Sequence, residues 1–169
     1  AVGCSVVTGA GRGFCSGGDV RAMAERTETA AGTLESKAAD LRERMEISRL
    51  LHESPKPTIA MVNGPAAGAG LSLALACDLR FMAAGARLST AFANVGYSGD
   101  FGGSYFLTQL VGPAKARELY LLAERVDAAE ALRLGIVNRT CLDDKLREET
   151  MAVARRIAHG PRVAYRYMK

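Results

Sequence analysis

Tryptophan is absent from the 169 residues, and histidine occurs only twice, at His52 and His159. The four cysteines, Cys4, Cys15, Cys77 and Cys141, form no CxxC pair and show no metal-ligand spacing. So thin a supply of soft and imidazole ligands predicts no metal site. No run of eighteen or more apolar residues occurs, which predicts no membrane span, and no basic leader precedes a short apolar stretch, which predicts no signal peptide. Charge of one sign is also scarce: the net +4 is spread along the chain, densest in "RRIAHGPRVAYRYMK". No nucleic-acid-binding motif accompanies it, so nucleic acid is not an expected partner. A solvated helix face accounts for that segment, and its basic residues also suit a small ligand bearing phosphates. Cys77 lies in a mostly apolar stretch, which predicts buried, reduced thiols and a cytoplasmic protein.

Hydrophobic residues make up 49% and charged residues 24%, the balance of one globular domain with a sizeable core. Residues 2–8 read as a short apolar strand, so a segment upstream of it is an expected loss. "DVRAMAERTETAAGTLES" reads as a flexible polar excursion. In "LRERMEISRLLHE", Leu41, Met45, Ile47, Leu50 and Leu51 recur at helical spacing, and "SPKP" ends that helix. "TIAMV" and "DLRFMAA" are buried strands. Between them, "NGPAAGAGLSLALAC" is a Gly/Ala loop opening an apolar helix. "ARLSTAF" is a short strand, and "NVGYSGDFGGSYFLTQLVG" a glycine-rich turn into a helix. The remainder, "PAKARELYLLAE", "DAAEALRLG" and "LREETMAVARRIAHG", reads as helical. Strands alternating with helices predict an α/β fold with mostly parallel pairing.

"SVVTGAGRGFCSGGD", residues 5–19, places five glycines between positions 9 and 19. Such a loop after a strand can cradle a dinucleotide's phosphates or aim bare backbone N–H groups at another acceptor. "TGAGRGF" resembles the opening T-G-x-x-x-G-x-G of short-chain dehydrogenases, but Cys15 stands where the last glycine allows pyrophosphate to approach. The Tyr165-x-x-x-Lys169 pair fits that chemistry, yet Ala152 occupies the place of that family's serine. The second reading joins distant segments. "GFCSGGDV", "KPTIAMVNGPAAGAGLSLALACDLRF" and "GGSYFLTQLVGPAKARELYLLAERVDAAEALRLGIVN" together resemble the crotonase (enoyl-CoA hydratase/isomerase) superfamily, in its order and spacing.

That resemblance implies a spiral of repeated ββα units over residues 1–112, with a C-terminal helical region at 113–169 covering the site. It implies a chain truncated at both ends relative to the family. It also implies an acyl-CoA substrate with no separate cofactor, and a homotrimer or dimer of trimers. The backbone N–H groups of Gly18 and Ala69 would converge on the thioester oxygen, the latter at a helix start whose dipole favours an enolate. Phe14, Cys15, Ser16, Asp19 and Val20 of the first loop, Gly68 and Ser72 of the second, and Phe92 and Tyr97 beyond would contact substrate. Phe101 can join Phe92 and Tyr97 around a bulky acyl chain, while Arg12 and Arg21 can meet CoA phosphates.

Hydratases of the family use two glutamates, and the motifs place these at Ser72 and Phe92, so neither carboxylate is present. Asp100 in "GYSGDFGGS" matches the aspartate of the phenylacetate-type enoyl-CoA isomerases and the nucleophile of the family's aromatic dehalogenase. An aspartate before a helix is often only a cap. A double-bond shift needs one base, so the expectation is an isomerase with Asp100 as proton shuttle. The alternatives are an enoyl-CoA hydratase and a non-catalytic acyl-CoA-binding protein. In the dehalogenase version the water-activating histidine aligns with Met45, and His52 is expected at the surface.

Overall fold

A computed structural model describes residues 2–19 and 32–169 of the chain. Val20, Arg21 and most of the expected polar excursion lie outside the described residues. Four parallel strands make the main sheet, in the order β1 (Ser5–Thr8), β2 (Thr58–Val62), β4 (Leu79–Ala83), β7 (Arg139–Cys141). Val6 pairs with Ile59, Ile59 with Leu79, and Phe81 with Arg139. Every residue of β2 is buried, as a central parallel strand covered on both faces requires, so TIAMV is apolar or small throughout. A smaller sheet joins β3 (Ala66–Ala67), β5 (Arg87–Ser89) and β6 (Val126–Asp127), with β3 parallel and β6 antiparallel to β5.

Helix α1 (Leu34–Glu53) starts at Thr33, whose Oγ1 accepts the Ser36 amide at 3.2 Å, and stops at the Ser54–Pro55 step. Leu41, Ile47 and Leu50 on it are exposed, while Met45 and Leu51 are half-buried. The helical spacing is real, but much of the apolar stripe has no cover within the described residues. Helix α2 (Ala69–Ala76) is buried almost all round, which is why its sequence, AGLSLALA, lacks a polar face. Helix α3 (Gly103–Leu122) carries a break at Gly112, φ 76°, followed by Pro113. Glycine tolerates that left-handed backbone and proline lacks the N–H that would continue the ladder. Helices α4 (Ala128–Arg133), α5 (Leu146–Ala158) and α6 (Arg162–Met168) follow.

The expectation that everything after Pro113 is helical is corrected by β6 and β7. Two and three residues long, they show no alternation for a sequence pattern to reveal. Asn138, just before β7, clasps the sheet by exchanging hydrogen bonds with Arg80: its Oδ1 accepts from Arg80 N and its N donates to Arg80 O, both at 2.8 Å. Arg80 is 5% exposed, and its guanidinium donates to the carbonyls of Ile136 and Cys77. Asp78 ties the ends of neighbouring elements. Its Oδ2 accepts from Thr58 N at 2.7 Å and Thr58 Oγ1 at 3.0 Å, and meets Lys169 Nζ at 2.8 Å. Lys169 is therefore held in an ion pair, not free to serve a dehydrogenase-like Tyr165–Lys169 couple. Cys77 is buried, which pushes its thiol up to about 11.

Candidate active site

The two glycine loops meet. After β1, the first loop is pinned by Asn63, whose Oδ1 accepts from Gly9 N at 3.0 Å and whose Nδ2 donates to Gly11 O at 3.0 Å. Pro65 O accepts from Phe14 N and Cys15 N, and Cys15 O in turn accepts from Ala67 N at 3.0 Å. Cys15 thereby forms a parallel bridge with Ala66. Backbone runs against backbone so closely that side chains are excluded. A methyl on Gly70 would lie 2.1 Å from Cys15 O, and one on Gly17 only 2.9 Å from Ala67 O and 3.3 Å from Ala69 N. Gly17 also has φ +86°, a second reason for glycine there. Gly18 is the next residue, and Ala69 opens α2 with Gly68 as its cap. Asn63 was not among the residues singled out from the sequence, although an Asn flanked by a buried strand and Gly-Pro is a recognisable turn signal.

Phe92 joins this pair of loops to Asp100. It opens a 3-10 turn (Phe92–Val95) and is 6% exposed. Methyl groups built on Gly68 and on Gly99 would each lie 3.7 Å from its ring, so one aromatic ring separates the cap of α2 from the residue before Asp100. Ser72 is buried, and its hydroxyl is committed to Gly68 O at 3.2 Å. It is therefore poorly placed to handle a mobile proton.

Asp100 is not a helix cap. That position belongs to Gly102, which makes no side-chain cap hydrogen bond, and Asp100 contributes only its carbonyl, accepting from Gly103 N at 3.1 Å. Its Oδ1 is buried without a hydrogen-bond partner among the described residues. Desolvation raises its pKa above the usual carboxylate value, because burial penalises the charged form. A buried, unsatisfied carboxylate oxygen is uncommon and costly, and such groups concentrate where chemistry is done.

The remaining residues are less drawn together. Phe14 is buried in the core, Cys15 is half-buried, and Ser16, Asp19 and Arg12 are exposed. Tyr97 is 55% exposed on the turn after Phe92. Phe101 has φ +51°, a strained backbone for a bulky residue, and is half-buried. His52 is exposed and rests its ring on Phe106, centroids 5.1 Å apart, in keeping with a surface residue. Among the described residues, no group of three or more His, Cys, Asp or Glu gathers as metal ligands would.

Known proteins resemble this chain over most of its length. The chain is 36% identical over 163 residues to the 1,2-epoxyphenylacetyl-CoA isomerase of Escherichia coli, covering 94% of this chain and 60% of that protein. It is 35% identical to the crotonyl-CoA hydratase of Syntrophomonas wolfei, covering 100% of this chain and 63% of the relative. The chain thus spans about three fifths of the length of these relatives. A Thermobifida fusca structure solved in complex with CoA superposes with a TM-score of 0.86 at 33% identity, covering 96% of this chain and 64% of that one. Residues 1–169 match the family model described as enoyl-CoA hydratase/isomerase. With touching glycine loops, a buried helix start and the whole described sequence in agreement, the chain belongs to the enoyl-CoA hydratase/isomerase family.

Proposed function

We propose that this protein is an acyl-CoA-processing enzyme that shifts a carbon–carbon double bond, with Asp100 as its single proton carrier. The thioester oxygen accepts hydrogen bonds from the N–H groups of Gly18 and Ala69. Asp100 takes a proton from the carbon next to the thioester of a 3-enoyl-CoA, and the electrons flow into the thioester as a dienolate. The same carboxyl returns the proton two carbons further along, giving the conjugated 2-enoyl-CoA with no net gain or loss. Each amide donor in such a hole contributes ~3–4 kcal/mol of barrier lowering.

The observation that carries the reading is the buried Oδ1 of Asp100, without a hydrogen-bond partner among the described residues, in the turn where Gly99 packs against Phe92. Desolvation makes that carboxylate a stronger base, and one carboxyl suffices for a proton relay. The test is conjugation of a 3-enoyl-CoA, followed by absorbance, in the wild type and in Asp100→Asn. The reading expects turnover to fall by about 10²-fold or more in the variant. Full turnover in Asp100→Asn sinks it. The relative named crotonyl-CoA hydratase supports a second reading, hydration of a 2-enoyl-CoA, which the same assay separates by loss of enoyl absorbance in water.

A further inference from the structure

The polar surroundings of Asp100 include one group the sequence did not single out. Tyr120, on α3 and twenty residues beyond Asp100, stacks its ring on Phe92 with centroids 6.1 Å apart and planes 4° from parallel. Its hydroxyl reaches back toward the turn. A methyl on Gly99 would lie 3.7 Å from that oxygen and one on Gly103 only 2.7 Å from it. The hydroxyl is therefore bracketed by the residue before Asp100 and by the residue whose amide bonds to Asp100 O. Without side chains at Gly99 and Gly103 it can sit there, and Ser72 Oγ also lies 2.2 Å from the methyl position of Gly103.

Resting on the reading of Asp100 as the base, we propose that Tyr120 is a positioning residue whose hydroxyl donates a hydrogen bond to the Asp100 carboxylate when substrate closes the site. In the free structure Asp100 Oδ1 is a buried acceptor with no partner among the described residues, and the Tyr120 phenol oxygen lies against Gly99 and Gly103, which flank Asp100 in the turn. Catalytic hydrogen bonds are often long before substrate binds and tighten in the complex. Burial and the neighbouring Asp100 charge push the Tyr120 phenol up to about 12, so it stays protonated and acts as a donor. Among the described residues, uncharged Phe92 packs at Gly99, uncharged Ser72 at Gly103, and the Tyr120 phenol feels the Asp100 charge.

The stack on Phe92 survives in Tyr120→Phe, so this variant removes the hydroxyl alone. A donor to the carboxylate favours its charged form and lowers its pKa; deleting the donor raises it. In the full chain, with a 3-enoyl-CoA as probe, Tyr120→Phe is expected to lower kcat by about 10-fold or more, with KM within about 2-fold of wild type. The acid limb of kcat, which reports the enzyme–substrate complex, moves to higher pH by about one unit. The Asp100 carboxyl, titrated by ¹³C NMR with bound non-reactive acyl-CoA, moves in the same direction. Unchanged turnover with an unchanged acid limb and titration overturns the proposal. A fall in kcat with no change in the acid limb or titration also overturns it, because lost packing alone would do that. Since the titration needs no turnover, an Asp100→Asn variant that keeps full activity would defeat the base assignment while the carboxyl–phenol bond is judged separately.

Discussion

Gly70→Ala tests the meeting of the two loops directly. A methyl group at Gly70 would lie 2.1 Å from Cys15 O and 2.7 Å from both the Cys15 carbonyl carbon and Cβ. Ordinary van der Waals contact begins at 3.4 Å, so the Cys15 backbone must retreat by about 1 Å. The obstacle is main chain, which cannot swing aside as a flexible side chain would. Retreat breaks the 3.0 Å bond from Ala67 N to Cys15 O and the bridge to Ala66. Overpacking of this kind costs ~1–3 kcal/mol, and the lost hydrogen bond adds ~1 kcal/mol. Alanine's better helix propensity returns ~1 kcal/mol. The net loss of about 1–3 kcal/mol lowers the midpoint of thermal unfolding by roughly 3–10 °C for a chain of this size. The effect on turnover is larger. The first loop carries Gly18, and moving a reacting group by about 1 Å can cost ~10²-fold in rate. Melting followed by circular dichroism and turnover of a 3-enoyl-CoA measure the two effects. Gly11→Ala is the control: φ is +74° and no atom of the described residues lies within 4 Å of the added methyl, so backbone strain of about 1 kcal/mol is its whole cost and turnover stays at the wild-type level. A Gly70→Ala protein that melts and turns over like the wild type would refute the reasoning.

Two further outcomes follow from the geometry. Asp100→Asn should raise the melting temperature at pH 7 and leave it unchanged at pH 3. Burial raises the carboxyl's pKa in the folded chain, so the native state holds a proton that the unfolded chain has released above pH ~4, and stability falls as pH rises through that window. A lower melting temperature at pH 7 would contradict the bare-carboxylate assignment. Asp78→Ala should destabilise the chain by about 2–4 kcal/mol in urea unfolding, since it strands Thr58 N and Thr58 Oγ1 and frees Lys169. Turnover of the folded fraction should be unchanged, and a loss below about 1 kcal/mol would show that the cluster is not a structural tie.

Legibility in the sequence followed the range of the interaction. TIAMV and DLRFMAA could be read as buried strands because a central parallel strand must be apolar at successive positions. The start of α2 was readable because the glycines preceding it and the apolar residues within it are contiguous. Strands β6 and β7 were not, since two or three residues contain no period and are held by partners far along the chain. The cap reading of Asp100 was a fair local inference, and Gly102 overturned it by taking the position itself. Tyr120 sits in an apolar helical stretch where any aromatic residue looks like core. Nothing within twenty residues indicates that its hydroxyl turns back toward Asp100.

The sequence by itself determined the chemical inventory: two glycine loops, Ser72 and Phe92 beyond the second of them, and Asp100 in the next turn. Those are properties of residue type and spacing, carried by short windows of chain. Only the tertiary structure decided that the loops touch, that Asp100 Oδ1 has no partner among the described residues, and that a phenol from the far half of a broken helix packs against Gly99 and Gly103 of the same turn. Exclusion of water, and with it the raised pKa of a carboxyl, depends on what packs around a group from every direction, and no local pattern encodes that.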